Sequence, residues 1–202
     1  GKVLYDQRNF TEIDYFQKKE VRKEIGMLFQ SGALFDSLNV EQNVMFPLQM
    51  FTKMTDTEIL ERVNFCLDKV DIENANKLFP SEISGGMKKR VAIARAIALN
   101  PQYLFCDEPN SGLDPQTSIL IDALIKNITD EFNITTVVIS HDMNSVLEVA
   151  DKIIFVHNGV VWWQGTKDDI LKTDNKEVVE FVYASEFMKN LRSARLKGDF
   201  FN

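Results

Sequence analysis

Asp107 and Glu108 stand side by side at the end of the apolar run Tyr103-Leu104-Phe105-Cys106. Two adjacent carboxylates at the tip of a buried strand are costly to desolvate, so their placement calls for a chemical reason. A buried Asp at such a tip suits Mg²⁺ held partly through water, because that ion takes carboxylates together with phosphate oxygens. The next carboxylate can then polarise an attacking water, as in-line phosphoryl transfer requires. Gln30 ends the short apolar stretch Ile25 to Phe29, and His141 follows the β-branched run Thr135 to Ile139. Ligands of parallel α/β sheets gather beyond the carboxyl ends of the strands, so Gln30, Asp107, Glu108 and His141 are expected to converge on one site. There His141 is placed to stabilise γ-phosphate charge.

A second constellation lies in Pro80-Ser-Glu-Ile-Ser-Gly-Gly-Met-Lys-Lys-Arg90. It reads as a helix start built on Ser84, Gly85 and Gly86, with unpaired backbone N–H groups and the positive helix pole, about half an elementary charge, open to an anion. Taken alone, the same triplet also reads as a plain loop. A Gly-rich P-loop ending in Gly-Lys-Ser/Thr would be expected beside it, but residues 1–202 contain none, and Gly1-Lys2 is followed by Val3, which has no hydroxyl for Mg²⁺.

The 202 residues are 45% hydrophobic, enough for a real core, and the net charge of -7 argues against nucleic-acid binding. Lys88-Lys89-Arg90 is the sole basic cluster and reads as a solvated helix face. Cys66 and Cys106 sit among apolar neighbours, as two buried reduced thiols in a cytosolic setting. The longest apolar runs fall short of the roughly 18 residues of a membrane span. A membrane role is then peripheral.

Several elements must position these residues. Ser37 to Val70 has helical period, with Ile59, Val63, Leu67 and Val70 on one face and Thr55 to Glu58 as a capping box. Val91 to Ala98 continues the glycine-led helix up to Asn100-Pro101. Tyr103 to Cys106 is expected to be a strand buried on both faces, followed by a helix around Gln116 to Glu131 and the strand Thr135 to Ile139. This alternation predicts a mainly parallel α/β sheet. Asn158-Gly159, between two strands, is a type I′ hairpin signal in which Trp162 and Trp163 point to opposite sides. Helices are expected over Lys167 to Leu171 and Glu177 to about Leu191, followed by a charged tail.

On these residues the sequence resembles the ATP-binding cassette (ABC) ATPases over nearly its whole length. Gln30 looks like the Q-loop glutamine, Ile83 to Met87 the signature motif, and Tyr103 to Glu108 the Walker B strand with its catalytic glutamate. Ser111-Gly112-Leu113-Asp114 resembles the D-loop and His141 the switch histidine. The resemblance implies a P-loop-NTPase-like α/β core over 1–36 and 88–202, an inserted helical signature subdomain over 37–87, and a C-terminal β-hairpin with helices, all within one cassette domain truncated just after its first helix. It implies ATP and Mg²⁺, with Gln30 and Asp107 as metal ligands, and a head-to-tail homodimer in which Ser84, Gly85, Gly86 and Asp114 meet the partner's nucleotide. It also implies a transmembrane permease docked on the helical subdomain, at the cytoplasmic side of the inner membrane. Phe35, Phe46, Leu48 and Met50 offer either a docking groove for that permease or packing of the lobe. Met87 stands where the family more often has Gln, and Asn110 where Thr is commoner.

Leu28 to Leu38, Gly85-Gly86-Met87 and His141-Asp142-Met143 are similar to the ATPases of Mla/Mce-type phospholipid-transport systems. The expected function is an ATP-hydrolysing subunit that powers a membrane transporter of lipid. A catalytically dead module completing a partner's ATP site is the other reading, since the chain as given lacks a P-loop and is expected to bind ATP poorly. A chromosome-organising ABC ATPase would need a long coiled-coil insertion, and no heptad stretch is present.

Overall fold

The computed structural model describes residues 1–184 and Lys189. The continuation of the last expected helix to Leu191, and the charged tail, lie outside the described residues. The chain divides into two compact units, Gly1–Ser140 and a second beginning at His141.

In the first unit a small antiparallel ladder, β1 (Leu4–Tyr5) and β2 (Arg8–Asn9), precedes α1 (Tyr15–Lys23). Asp14 caps α1, accepting from the Gln17 N–H. Then follow β3 (Ile25–Leu28), α2 (Val40–Phe51), α3 (Asp56–Asp68), α4 (Gly85–Ile97), β4 (Tyr103–Asp107), α5 (Pro115–Phe132) and β5 (Thr135–Ile139). The three strands form a parallel sheet in the order β3-β4-β5, each joined to the next through helices. This is the crossover architecture that helix–strand alternation implies.

The helical lobe follows its periodicity. Thr55 caps α3 in a reciprocal box with Glu58, and Ile59, Val63, Leu67 and Val70 are all buried. They join one core with Leu28, Leu104 and Cys106 of the sheet and the inner faces of α2, α4 and α5. Cys66 and Cys106 are free, buried thiols, and desolvation pushes them up to about 11 and about 12. From α3, Arg62 closes the other end of α4 by donating to the carbonyls of Ala98 and Ile97, both at 2.9 Å.

Strand β4 is not buried on both faces, as its apolar run predicts. Leu104 and Cys106 are fully buried, while Tyr103, Phe105 and Asp107 are half-buried. The reason is one-sided cover. Gly26 and Leu28 share a face with their register partners Leu104 and Cys106, and Thr136 with Leu104. Helix α4 meets that face at Gly26, and α5 meets it through Thr129, whose hydroxyl lies 2.6 Å from that of Thr136. On the other face the register neighbours Met27, Phe105 and Val137 are less covered, Met27 and Val137 being each 43% exposed.

The second unit contains α6 (Met143–Val149), the antiparallel pair β6 (Ile153–His157) and β7 (Val160–Gly165), α7 (Lys167–Lys172) and α8 (Lys176–Val182). Asn158 and Gly159 turn the hairpin with φ of 50° and 77°, the left-handed pair a type I′ turn demands. Trp163 packs against the core of Ile153, Ile170, Val178, Val182 and Tyr183, whereas Trp162 is exposed and donates to Glu177 at 3.2 Å. No helix among the described residues is long and apolar enough to cross a membrane.

At Gly26 an added Cβ would lie 2.5 Å from the Ala96 carbonyl oxygen, and main chain cannot step aside. Gly26→Ala is therefore expected to destabilise the protein by about 2 kcal/mol, seen as a lower denaturation midpoint with an unchanged slope. An unshifted midpoint would show that the contact is slack.

Candidate functional site

The carboxyl end of β4 carries the acidic pair. Asp107 is the last strand residue, in register with Ile139 of β5. At Glu108 the backbone turns into the left-handed region, φ 44°, which disfavours a residue with a side chain. It is held there by its own N–H donating to the Ile139 carbonyl at 2.9 Å and its carbonyl accepting from the Ser111 N–H at 3.1 Å. Asn110 donates from Nδ2 to the buried Asp122 carboxylate at 2.9 Å, which ties the turn to α5.

Gln30 lies just past β3, and register places Leu28 beside Cys106, so both chains leave the sheet at the same end. Its Nε2 donates to Ser111 Oγ at 3.2 Å. The Gln30 carbonyl accepts from Lys89 Nζ, which also lies 3.4 Å from the Glu108 carbonyl oxygen. Burial pushes the Lys89 ammonium below its ordinary value, with Cys106 and Glu108 opposing. The expectation of a solvated basic face is thus wrong at Lys89, which is only 5% exposed. The signal was helical spacing: Lys89 precedes Ala92, Ile93 and Ala96 at intervals that share one buried face.

Farther along the Q-loop, Arg95 donates to the Gly32 and Ala33 carbonyls at 2.7 and 2.8 Å. The buried Asn43 accepts from the Phe35 N–H at 2.8 Å and donates to the carbonyls of Phe35, Leu38 and Asn39. Sequence reasoning missed both. Leu48 belongs to the core, which settles it as packing, while Phe35 and Met50 stay exposed and the Phe35 ring meets Phe46 at a 54° tilt, centroids 4.8 Å apart.

Ser84 caps α4 by accepting from the Met87 N–H at 3.2 Å, and the first turn carries no acidic side chain. A Cβ at Gly85 would sit 3.8 Å from the Leu113 side chain, and one at Gly86 only 2.9 Å from Thr117 Cγ2. Asp114 caps α5, accepting from the N–H groups of Gln116 and Thr117 at 3.1 and 3.0 Å and from the Thr117 hydroxyl at 2.5 Å. The structure therefore brings Gly85 and Gly86 against Leu113 and Thr117, which flank Asp114, and joins Gln30 and Glu108 through Lys89, both around the first turns of α4. His141 lies in the second unit, just before Asp142, whose side chain caps α6 by accepting from the Asn144 N–H at 2.9 Å.

No group of three or more His, Cys, Asp or Glu residues that could hold a metal occurs among the described residues. The available donors are hard oxygens of one strand-tip carboxylate and one amide. That set fits Mg²⁺, which keeps waters and completes its shell with substrate phosphate, and does not fit a metal needing a protein cage.

Residues 1–111 match the family described as ABC transporter. The chain belongs to that family. It is 39% identical over 182 residues to the intermembrane phospholipid transport system ATP-binding protein MlaF of Haemophilus influenzae, covering 90% of this chain and 69% of the relative. To the methionine import ATP-binding protein MetN of Campylobacter jejuni it is 40% identical over 193 residues, 87% of this chain and 57% of that protein. Among solved structures, the dimeric post-hydrolysis state of the ATP-binding cassette MJ0796 bound to ADP and Pi superposes with a TM-score of 0.73 at 32% identity, covering 83% of this chain and 73% of that one. The fold is the ABC ATPase cassette fold, and ATP is the nucleotide of such cassettes.

The Thr117 hydroxyl and N–H, more than any other groups, hold the Asp114 carboxyl below the usual aspartate range. The cap therefore contributes fully above the unfolded-state value and is lost as pH falls through the lower folded-state value. Carboxyl ¹³C titration of this ABC cassette is expected to place Asp114 below ordinary aspartates, and Thr117→Val, which removes the hydroxyl, to raise it; an unmoved Asp114 would contradict the assigned cause.

Proposed function

We propose that this chain is part of the ATP-hydrolysing subunit of a membrane transporter and that its residues act as follows. Asp107 and Gln30 Oε1 would hold Mg²⁺, and the bound ion would supply charge neutralisation of the nucleotide phosphates. Glu108 orients and polarises the attacking water, and His141 stabilises charge on the departing γ-phosphate. The open N-terminus of α4, at Ser84, Gly85 and Gly86, faces the nucleotide of a second copy, with Asp114 beside it at the same junction. Binding of ATP draws two copies together, and product release lets them part.

The observation that carries this reading is the backbone of Glu108. A left-handed, non-glycine residue persists only where its surroundings over-determine it, and such strain collects at functional sites. Here the Ile139 carbonyl, the Ser111 turn and the Lys89 ammonium fix the residue directly after Asp107 and tie it to Gln30.

We further infer a lipid cargo, acting through a permease seated on the helical lobe at the cytoplasmic face of the inner membrane. The stretches Leu28 to Leu38, Gly85-Gly86-Met87 and His141-Asp142-Met143, with the MlaF likeness, support lipid, while the comparable MetN likeness favours methionine. The exposed Phe35 and Met50 support the lobe as the docking surface.

In the full-length gene product, Glu108→Gln is expected to bind ATP, to run as a dimer in its presence and to lose ATP turnover by a factor of about 10²–10⁴, the range of a general base. Size-exclusion chromatography with ATP and a phosphate-release assay check both halves. Near-normal turnover would remove Glu108 from the chemistry.

A further inference from the structure

Lys89 bonds main-chain carbonyls on both arms of the candidate hydrolytic centre, beside Ser111, whose N–H meets the Glu108 carbonyl and whose Oγ accepts from Gln30 Nε2. It sits one and a half turns into α4, only 5% exposed, and its Nζ donates to the Gln30 carbonyl with the Glu108 carbonyl at 3.4 Å. A buried ammonium is retained only where its donors are taken up, and here main-chain oxygens take them. Those oxygens are the ones that need it. Gln30 has left the β3 ladder, so its carbonyl has no strand partner, and Glu108 is in a left-handed conformation that its own turn must hold. The ammonium carries several N–H donors at the end of a flexible stem, so it can serve two carbonyls arriving from two different strands.

We propose that Lys89 is a positioning residue for ATP hydrolysis: by binding the carbonyls of Gln30 and Glu108 it locks the two backbones in one register, so that the Gln30 amide and the Glu108 carboxylate address the same phosphate. This rests on the assignment of Glu108 and Gln30 given above. It assigns a role to a side chain whose ammonium bonds main-chain carbonyls, and it makes the start of α4 mechanically continuous with the hydrolytic centre of its own subunit.

The test has two independent readouts. In the chain as it stands, amide hydrogen exchange is followed at Glu108, Ser111 and Gly32, whose N–H groups close the turns that Lys89 spans, with the α3 amides of Val63 and Leu67 as controls for global opening. In the full-length protein, kcat and KM for ATP are measured. Lys89→Met, which keeps the length and removes the donors, is expected to speed exchange at the three amides at least tenfold without moving the controls, and to lower kcat at least tenfold with KM changed less than threefold. Lys89→Arg, which keeps charge and donors, is expected to return both readouts to within threefold of wild type. If Lys89→Met does not fold, Lys89→Gln, which keeps one N–H pair at shorter reach, is read in the same assays and is expected to move both in the same direction. Wild-type behaviour of the donor-deleted variant, a change in one readout without the other, or failure of Lys89→Arg to restore them would overturn the proposal. Absence of hydrolysis by the wild-type full-length protein would instead sink the functional reading, and exchange alone would then decide whether Lys89 is the strut.

Discussion

Helix α4 lies so close to strand β3 that the strand has no room for a side chain at Gly26, where a Cβ would meet the Ala96 carbonyl at 2.5 Å. The rest of the first unit follows from that approach. From Ala96 back to Lys89 the helix rises about 10 Å, and from Gly26 on to Gln30 the strand advances about 13 Å. The two elements thus run side by side, in opposite directions, over nearly equal lengths. The second contact, Lys89 to the Gln30 carbonyl, falls where the strand ends. Two points of attachment fix the helix along the sheet, and its glycine-led N-terminus is then delivered to the end of the sheet where Asp107 and Glu108 emerge.

Electrostatics at that end are arranged around main chain more than around ion pairs. Arg95 and Lys89, both on α4, spend their charge on the carbonyls of Gly32, Ala33 and Gln30. Desolvation lowers the pKa of each, the cost expected of cations held in a low-dielectric wall. Neighbouring caps work the same way: Asp114 is held by N–H groups and a hydroxyl, not by a cation.

Much of this was legible in the sequence, because the elements are locally consistent. The capping box at Thr55, the run from Thr135 to Ile139 and the Asn158-Gly159 turn each encode their structure within a few residues, and each forms as read. The α/β alternation gave the parallel sheet for the same reason. What was not legible depends on which neighbour arrives. Apolar residues on both sides of β4 read as full burial, but α4 and α5 cover the same face, and sequence does not say on which side a crossover helix lands. Lys89 was obscured by its company: between Lys88 and Arg90 it reads as surface charge, and only the spacing to Ala92, Ile93 and Ala96 betrays its inward face. Asn43 and Arg95 were equally silent, since a side chain that satisfies distant carbonyls carries no local motif.

Helix α4 also has consequences for how two copies could influence one another under the proposed assembly. Its first turn abuts the start of α5, with Gly85 near Leu113 and Gly86 against Thr117, so a push on the glycine turn is passed at once to the Asp114 cap. A turn later the same helix holds the carbonyls of Gln30 and Glu108. An anion arriving from a second copy would touch the outer end of a rod whose next contacts are the main-chain carbonyls of Gln30 and Glu108. Coupling through a single stiff helix needs no chain of intermediates, only two discrete seats for that helix, and Gly26 limits how far it can slide between them. With a tight seat at Gly26 and a polar one at Lys89, any shift of that helix would be carried to the backbones of Gln30 and Glu108 together.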